Sequence, residues 1–335
     1  MNIKETLFEL SNAISIGNIH DASDIAAGAL SKYAETSQKG ISVTGKMSGE
    51  CDYTLMLEAH IDEVGFVVTH IDNDGFLTVK NCGGVDLRML PARTVEIHGK
   101  EKIKGVFCST PPHLSNGAAE YDDISALKID TLLGEKAKDI ISVGDFVTFS
   151  SRAASLHGSR VTGKSLDNRA GVVCLLELAR RLNGKKLPFN IVFSFTDAEE
   201  LGNRGAKTDA FNLSPDEAIV LDVSFADGPD IPSCDCGRLS GGAMIGMSPI
   251  LDKKLSQRLI SVAKENDISY QTEVMGGRTG TDCDVISISK SGVKTALISI
   301  PLRNMHTDVE IVDINDIKSV CDLLENYILK GGAAQ

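Results

Sequence analysis

The chain has no apolar run of the roughly 18 to 20 residues needed to cross a bilayer, so no membrane partner is expected. Its first residues, Met1-Asn2-Ile3-Lys4-Glu5, lead into an amphipathic pattern without the apolar block of a secretory signal, which makes cytoplasmic the expected location. Positive charge is also scarce: 34 Lys and Arg stand against 46 Asp and Glu, a formal net charge of -12. Basic runs and aromatic-basic interleaving are missing, so no nucleic-acid partner is expected. The ordinary use of such acidity is solubility, and a minor part of it would be carboxylates neutralised by bound cations.

The cysteines at 51, 82, 108, 174, 234, 236, 283 and 321 lack the CxxC…CxxC spacing of a structural zinc site. Cys234-Asp235-Cys236 is a close pair, and a CxC alone is a weak metal signal. Cys174, within an apolar stretch, reads as a buried small hydrophobe. Reduced thiols in a reducing compartment are expected. Internal repeats and low-complexity tracts are absent too.

What is present is an ordinary globular composition, 42% hydrophobic and 24% charged, over 335 residues. That length can bury a large core, in one large domain or two unequal ones. Residues 2–35 carry helical periodicity, and residues 52–60 read as a short apolar strand ending in polar chemistry. From about residue 64 to 163 the texture is short β-like runs, at 66–69, 76–79, 94–97, 103–107 and 145–150, separated by Gly, Pro and Asn-Asp turns. Beyond Asp167 strands and helices alternate. Helices are expected over 168–182, over 252–265 with Asp252 as N-cap, and after Asp313; strands are expected at 190–195, 217–223 and 293–300. This pattern predicts an α/β sheet with helices on both faces, interrupted by a β-rich insertion of about 100 residues.

In open α/β sheets, ligands bind outside the carboxyl ends of the strands. His60 and Asp62, Glu199 and Glu200, Asp222, and His306 all fall at or just past such ends, and Asp167 stands at the start of a helix. Each has a bland reading: His60-Ile61-Asp62 as a hydrogen-bonded pair, Asp167 as an N-cap, Glu199-Glu200 as a solvated acidic turn. Asp222 resists one, because a carboxylate inside an apolar run is costly unless paired or metal-bound. Together, two His and three carboxylates suit a pair of zinc, cobalt or manganese ions. Two ions about 3.5 to 4 Å apart need a shared carboxylate, and each needs its own His and carboxylate. Counting ligands gives Asp167 as the bridge, His60 with Asp222 on one ion, and His306 with Glu200 on the other. Asp62 would orient His60, and Glu199 would take a proton from the attacking water.

These segments resemble the M42 family of metallo-aminopeptidases, which includes the self-compartmentalising TET peptidases. Leu57-Glu-Ala-His60-Ile-Asp62-Glu-Val-Gly-Phe66 is similar to its AHxDEIGF motif, Ser165-Leu-Asp167-Asn-Arg-Ala-Gly171 to LDDRAG, and Glu199-Glu200-Leu-Gly-Asn-Arg-Gly-Ala206 to EEVGxRGA. Leu221-Asp222-Val223 matches a third carboxylate site, and the segment from Ile300 through His306 to Glu310 matches IPxRYxHSPVE. The departures are Asn168 for the second Asp of LDDR, Asn304 for an aromatic beside the substrate pocket, and no PSGxE-like element within residues 14–20.

The resemblance implies a zinc-peptidase-like mixed-sheet catalytic domain of residues 1–64 and 163–335. Residues 65–162 would form an inserted β-barrel-like dimerisation domain, building a homo-oligomer, either a dimer or a dodecamer. It also implies an aminopeptidase acting on short peptides, with Glu199 as base and two divalent ions per subunit. The rival readings are a di-metal deacylase or carboxypeptidase, and a catalytically degenerate binding subunit. Some family members carry an endoglucanase label, but a glycosidase needs two carboxylates flanking the bond and no metal. The side-chain preference at the substrate N-terminus is left open, with Asn304 and the 276–282 loop as candidate determinants.

Overall fold

The computed structural model describes residues 1–114, 123–229, 231–234 and 236–332; Asp235 of the Cys234–Cys236 pair lies outside them. Its main sheet is mixed and eight-stranded. In spatial order the strands are Tyr270–Val274, Ala243–Met247, Lys294–Leu302, Glu217–Phe225, Thr54–His60, Asn190–Thr196, Ser42–Met47 and Glu35–Lys39. The four from Lys294–Leu302 to Asn190–Thr196 are mutually parallel. Antiparallel pairing begins on either side of them.

Alternation along these strands sorts the chemistry. Leu55, Leu57 and Ala59, with Phe193, Phe195, Leu221 and Ile298, point into one large core. There they meet helices Ile3–Asn12, Asp21–Leu30, Leu166–Leu182, Lys253–Glu265 and Ile314–Leu329. Each such buried large side chain contributes about 1.5–3 kcal/mol. The alternate residues Met56, Ala218, Val220 and Leu297 face a smaller cluster with Ala206, Ala210, Cys283 and Ile286. The helices carrying those four, Arg204–Leu213 and Cys283–Ile286, are short and cover little of that face. His60 and Asp222 share its parity, so they project from the same side of the sheet as that cluster.

The two expected caps are present: Asp252 accepts the Leu255 N–H at 2.9 Å and Asp313 accepts the Asn315 N–H at 2.9 Å. The helical run expected over residues 2–35 is instead two helices joined by a hairpin, Ser15–Ile16 against Ile19–His20. Gly17, at φ +62°, makes its turn possible, and a Cβ there would strike the Phe146 ring.

Six strands between Gly65 and Phe149 close into a barrel, in the order Lys128–Asp130, Leu77–Cys82, Gly65–Ile71, Phe146–Phe149, Thr94–His98 and Lys102–Phe107. It has its own apolar core, in which Phe66 meets Phe107 and Phe149 edge-on at 5.2 and 5.5 Å. Closure leaves no open sheet edge. No helix among the described residues is long and apolar enough to cross a membrane.

Candidate metal centre

His60 ends its strand, and its Nε2 lies 3.0 Å from Asp167 Oδ1 and 3.8 Å from Asp222 Oδ1. His306 Nε2 lies 3.4 Å from Asp167 Oδ2 and 3.3 Å from Glu200 Oε1. Asp167 therefore turns one oxygen toward each histidine. The donor atoms of His60, Asp167 and Asp222 fall within 4.8 Å of one another, and so do those of Asp167, Glu200 and His306. His60, Glu199 and Glu200 form a third such group. All five residues counted as ligands, and Glu199, are thus brought to one cavity of about 440 Å³, which Thr279, Gly280, Thr281 and Met305 also line.

Local hydrogen bonds explain these positions. Asp167 and Asn168 have non-helical dihedrals, so the helix proper starts after them. Asn168 Oδ1 accepts the Gly171 N–H at 3.0 Å, and its Nδ2 donates to the Leu221 carbonyl at 2.7 Å. Asn168 thus does the capping that Asp167 could have done, and the Asp167 carboxylate is left facing the cavity. Glu310, buried, accepts the Asp167 N–H on Oε2 at 3.1 Å and the His306 N–H on Oε1 at 2.9 Å. That bond helps hold His306 at φ +60°, unusual for a bulky residue. Asp62 Oδ1 is 3.4 Å from His60 Nδ1, long for a hydrogen bond. The Asp62 oxygens also accept the Glu199 and Glu200 N–H groups at 3.1 and 3.3 Å, coupling His60 to that acidic turn.

Behind Glu199 lies a polar chain that sequence reading missed. Asn203 Nδ2 donates to Glu199 Oε1 at 3.0 Å and to Asp282 Oδ1 at 2.9 Å. Thr196 Oγ1 sits 2.6 Å from Glu58 Oε1 and 2.9 Å from Asp282 Oδ2. Burial, then the neighbouring Asp282, pushes the Glu58 carboxyl well up. Asn304 is a correction. It is exposed and donates to the Val309 carbonyl at 3.2 Å, while Met305 and His306 supply the cavity wall.

The carboxylates crowd one another, and the two histidines offset part of that charge. Burial pushes the Glu199 carboxyl up to about 8; Asp282 and Glu200 add to the rise while His60 opposes it. Burial also raises Glu200 and, more strongly, Asp222. Burial opposes the charged form of His306 as well, yet Asp167 and Glu200 hold that imidazole up at about 11. Two imidazoles and three clustered carboxylates are a donor set that borderline divalent ions satisfy.

A family model for M42 glutamyl aminopeptidase matches residues 41–323. This chain belongs to the M42 peptidase family. As an M42 enzyme it is a hydrolase of peptide bonds that acts at chain N-termini. It is 32% identical to a lysyl aminopeptidase of Pyrococcus furiosus over 277 residues, 80% of this chain and 79% of the relative. An aminopeptidase of Desulfurococcus kamchatkensis superposes with a TM-score of 0.91 at 31% identity, covering 98% of this chain and 94% of that one. A TET peptidase of Pyrococcus horikoshii, which assembles into a tetrahedron or a large octahedral shell, gives a TM-score of 0.85 at 28% identity, covering 98% and 99%. The M42 fold is therefore common to the whole described chain, mixed sheet and barrel alike.

Proposed function

We propose that the chain removes N-terminal residues from short peptides at a site of two divalent ions. Asp167 would be shared, His60 and Asp222 would hold one ion, and His306 and Glu200 the other. The observation that carries this reading is the presence of Asp167 in both donor groups, one oxygen in each. Bound zinc, cobalt or manganese would supply Lewis acidity toward the scissile carbonyl and a water acidic enough to ionise near neutral pH. Glu199, fixed by Asn203, takes the proton of the attacking water and passes it to the leaving amine. Asp62 orients His60 and the Glu199–Glu200 turn. The acidic lining attracts the α-ammonium of the substrate.

We assign residues 1–64 and 163–335 to catalysis and residues 65–162 to dimerisation, except that Ala154–Ser155 and Arg160–Gly163 form a sheet with Glu310–Asp313 and so sit with the catalytic part. This is supported by the separate barrel core and by exposed Leu132 and Val143. Assembly as a dimer or dodecamer is tested by light scattering. We place the enzyme in the cytoplasm, a reducing compartment in which free thiols persist.

Aminoacyl p-nitroanilides, with and without an N-acetyl block, test the reading. EDTA is expected to abolish hydrolysis, cobalt or zinc to restore it, and the blocked substrates to resist cleavage. Cleavage of blocked substrates, or indifference to EDTA, contradicts it.

Metal removal also changes how stability depends on pH. In the metal-free form the folded-state pKa values of Glu199, Glu200, Asp222 and His306 lie above their ordinary values. Groups raised in this way stabilise the fold fully below their unfolded pKa, and lose that contribution as pH rises through the folded value. Apoprotein is therefore expected to melt at lower temperature as pH goes from about 5 to 8, a window set by the carboxylates. The gap to the metal-loaded form widens in step, as scanning calorimetry at several pH values reads directly.

A further inference from the structure

A second cavity of about 280 Å³ adjoins the metal centre and shares Ser224, Phe225 and Thr279 with it. Glu273, from the Tyr270–Val274 strand, forms part of its wall. Both of its carboxylate oxygens are held: Oε1 accepts from the Ser224 hydroxyl, and Oε2 from the Ser299 hydroxyl at 2.7 Å. Sheet register ties those serines to the centre. Ser299 is the direct cross-strand neighbour of Asp222, and Ser224 follows Asp222 by two residues on the same face, about 6.6 Å along the strand.

Two hydroxyl donors fix the carboxylate in place but bring no charge to balance it. Among the described residues no lysine, arginine or histidine forms an ion pair with Glu273, and Arg303, just past the end of the Ser299 strand, is engaged with Asp227 at 3.0 Å. A half-buried carboxylate of this kind favours a cation and repels an anion. A lysine carries its ammonium on a four-carbon stem, a reach of the same order as the roughly 6.6 Å along the strand from Asp222 to Ser224, whose hydroxyl holds Glu273.

We infer that Glu273 makes the enzyme select peptides whose first residue is cationic, lysine or arginine. The inference rests on the aminopeptidase reading above and adds the class of side chain. Phe225 packs along the aliphatic stem, and the Ser224 and Ser299 hydroxyls keep the carboxylate aimed at its end. Acidic N-terminal residues are turned away by like charge.

The test is kcat/KM on lysyl, arginyl, leucyl and glutamyl p-nitroanilides, with wild-type enzyme loaded with cobalt or zinc and with E273Q and E273K. Wild-type is expected to favour lysyl and arginyl over leucyl substrate by at least about tenfold, the size of one charge-assisted contact. E273Q should shrink the lysyl-to-leucyl ratio about tenfold or more, mostly through KM. E273K should invert the preference toward glutamyl substrate, a gain that misfolding does not produce. Hydrolysis with a leucyl or glutamyl preference in wild-type, or an unchanged ratio in E273Q, overturns the inference alone. Failure of metal-loaded wild-type to cleave any of the four overturns the aminopeptidase reading, and the inference with it.

Discussion

Replacing Glu199 by glutamine is expected to lower kcat by about 10²–10⁴-fold while leaving metal content unchanged. Glutamine has nearly the same shape and can still accept the Asn203 Nδ2 hydrogen bond that fixes residue 199. It cannot take up a proton, and that is the property the proposed step uses. The ligand groups His60–Asp167–Asp222 and Asp167–Glu200–His306 do not include Glu199, so both are complete in the variant. KM should move little, because the loss falls on the transition state rather than on binding. Paired measurements of kcat and of metal by mass spectrometry check this. Activity within tenfold of wild-type would remove Glu199 from the role of base.

Replacing Asp167 by alanine should be the more damaging change to the centre itself. Its two oxygens face different histidines, so one substitution takes a donor from both groups. Substituting the orienting partner of a metal ligand already costs about 10–100-fold in affinity, and a shared first ligand should cost at least that. D167A is therefore expected to retain less than one ion per chain after dialysis and to lose measurable activity, whereas H306A should lose one ion preferentially. Equal metal content in D167A and wild-type would mean that the carboxylate is not shared. The capping of the helix belongs to Asn168, which D167A leaves in place.

The residues that meet at the cavity were legible because most of them sit where the apolar pattern of a strand ends. Strands rich in buried aliphatics announce their carboxyl ends, and His60, Glu199, Glu200, Asp222 and His306 lie at or near them. The helices capped by Asp252 and Asp313 were legible for a similar reason, a polar cap followed by a regular apolar stripe. Other parts left little local trace. The Glu35–Lys39 edge strand, Glu-Thr-Ser-Gln-Lys, is half or fully exposed and has no apolar alternation to read. The barrel is closed by Lys128–Asp130, three residues whose partners on both edges lie more than twenty positions earlier in the chain.

The supporting polar groups were hidden for a deeper reason. Glu58, Asp282 and Asn203 meet through contacts spanning 79 to 138 positions, and nothing in the neighbourhood of any one of them marks it as paired. Glu310 is similar: its sequence segment was conspicuous, but its task depends on reaching Asp167 across 143 positions. Asn304 misled in the opposite direction. Its place beside Met305-His306 suggested a cavity wall, but a left-handed backbone at φ +58° turns it to the surface.

The most direct measurement of the two-ion site is anomalous scattering from crystals loaded with zinc or cobalt. Two peaks about 3.5–4 Å apart are expected, one beside His60 and Asp222 and the other beside His306 and Glu200, with Asp167 in contact with both. A single peak, or two peaks with Asp167 bound to only one, would contradict the shared-carboxylate centre.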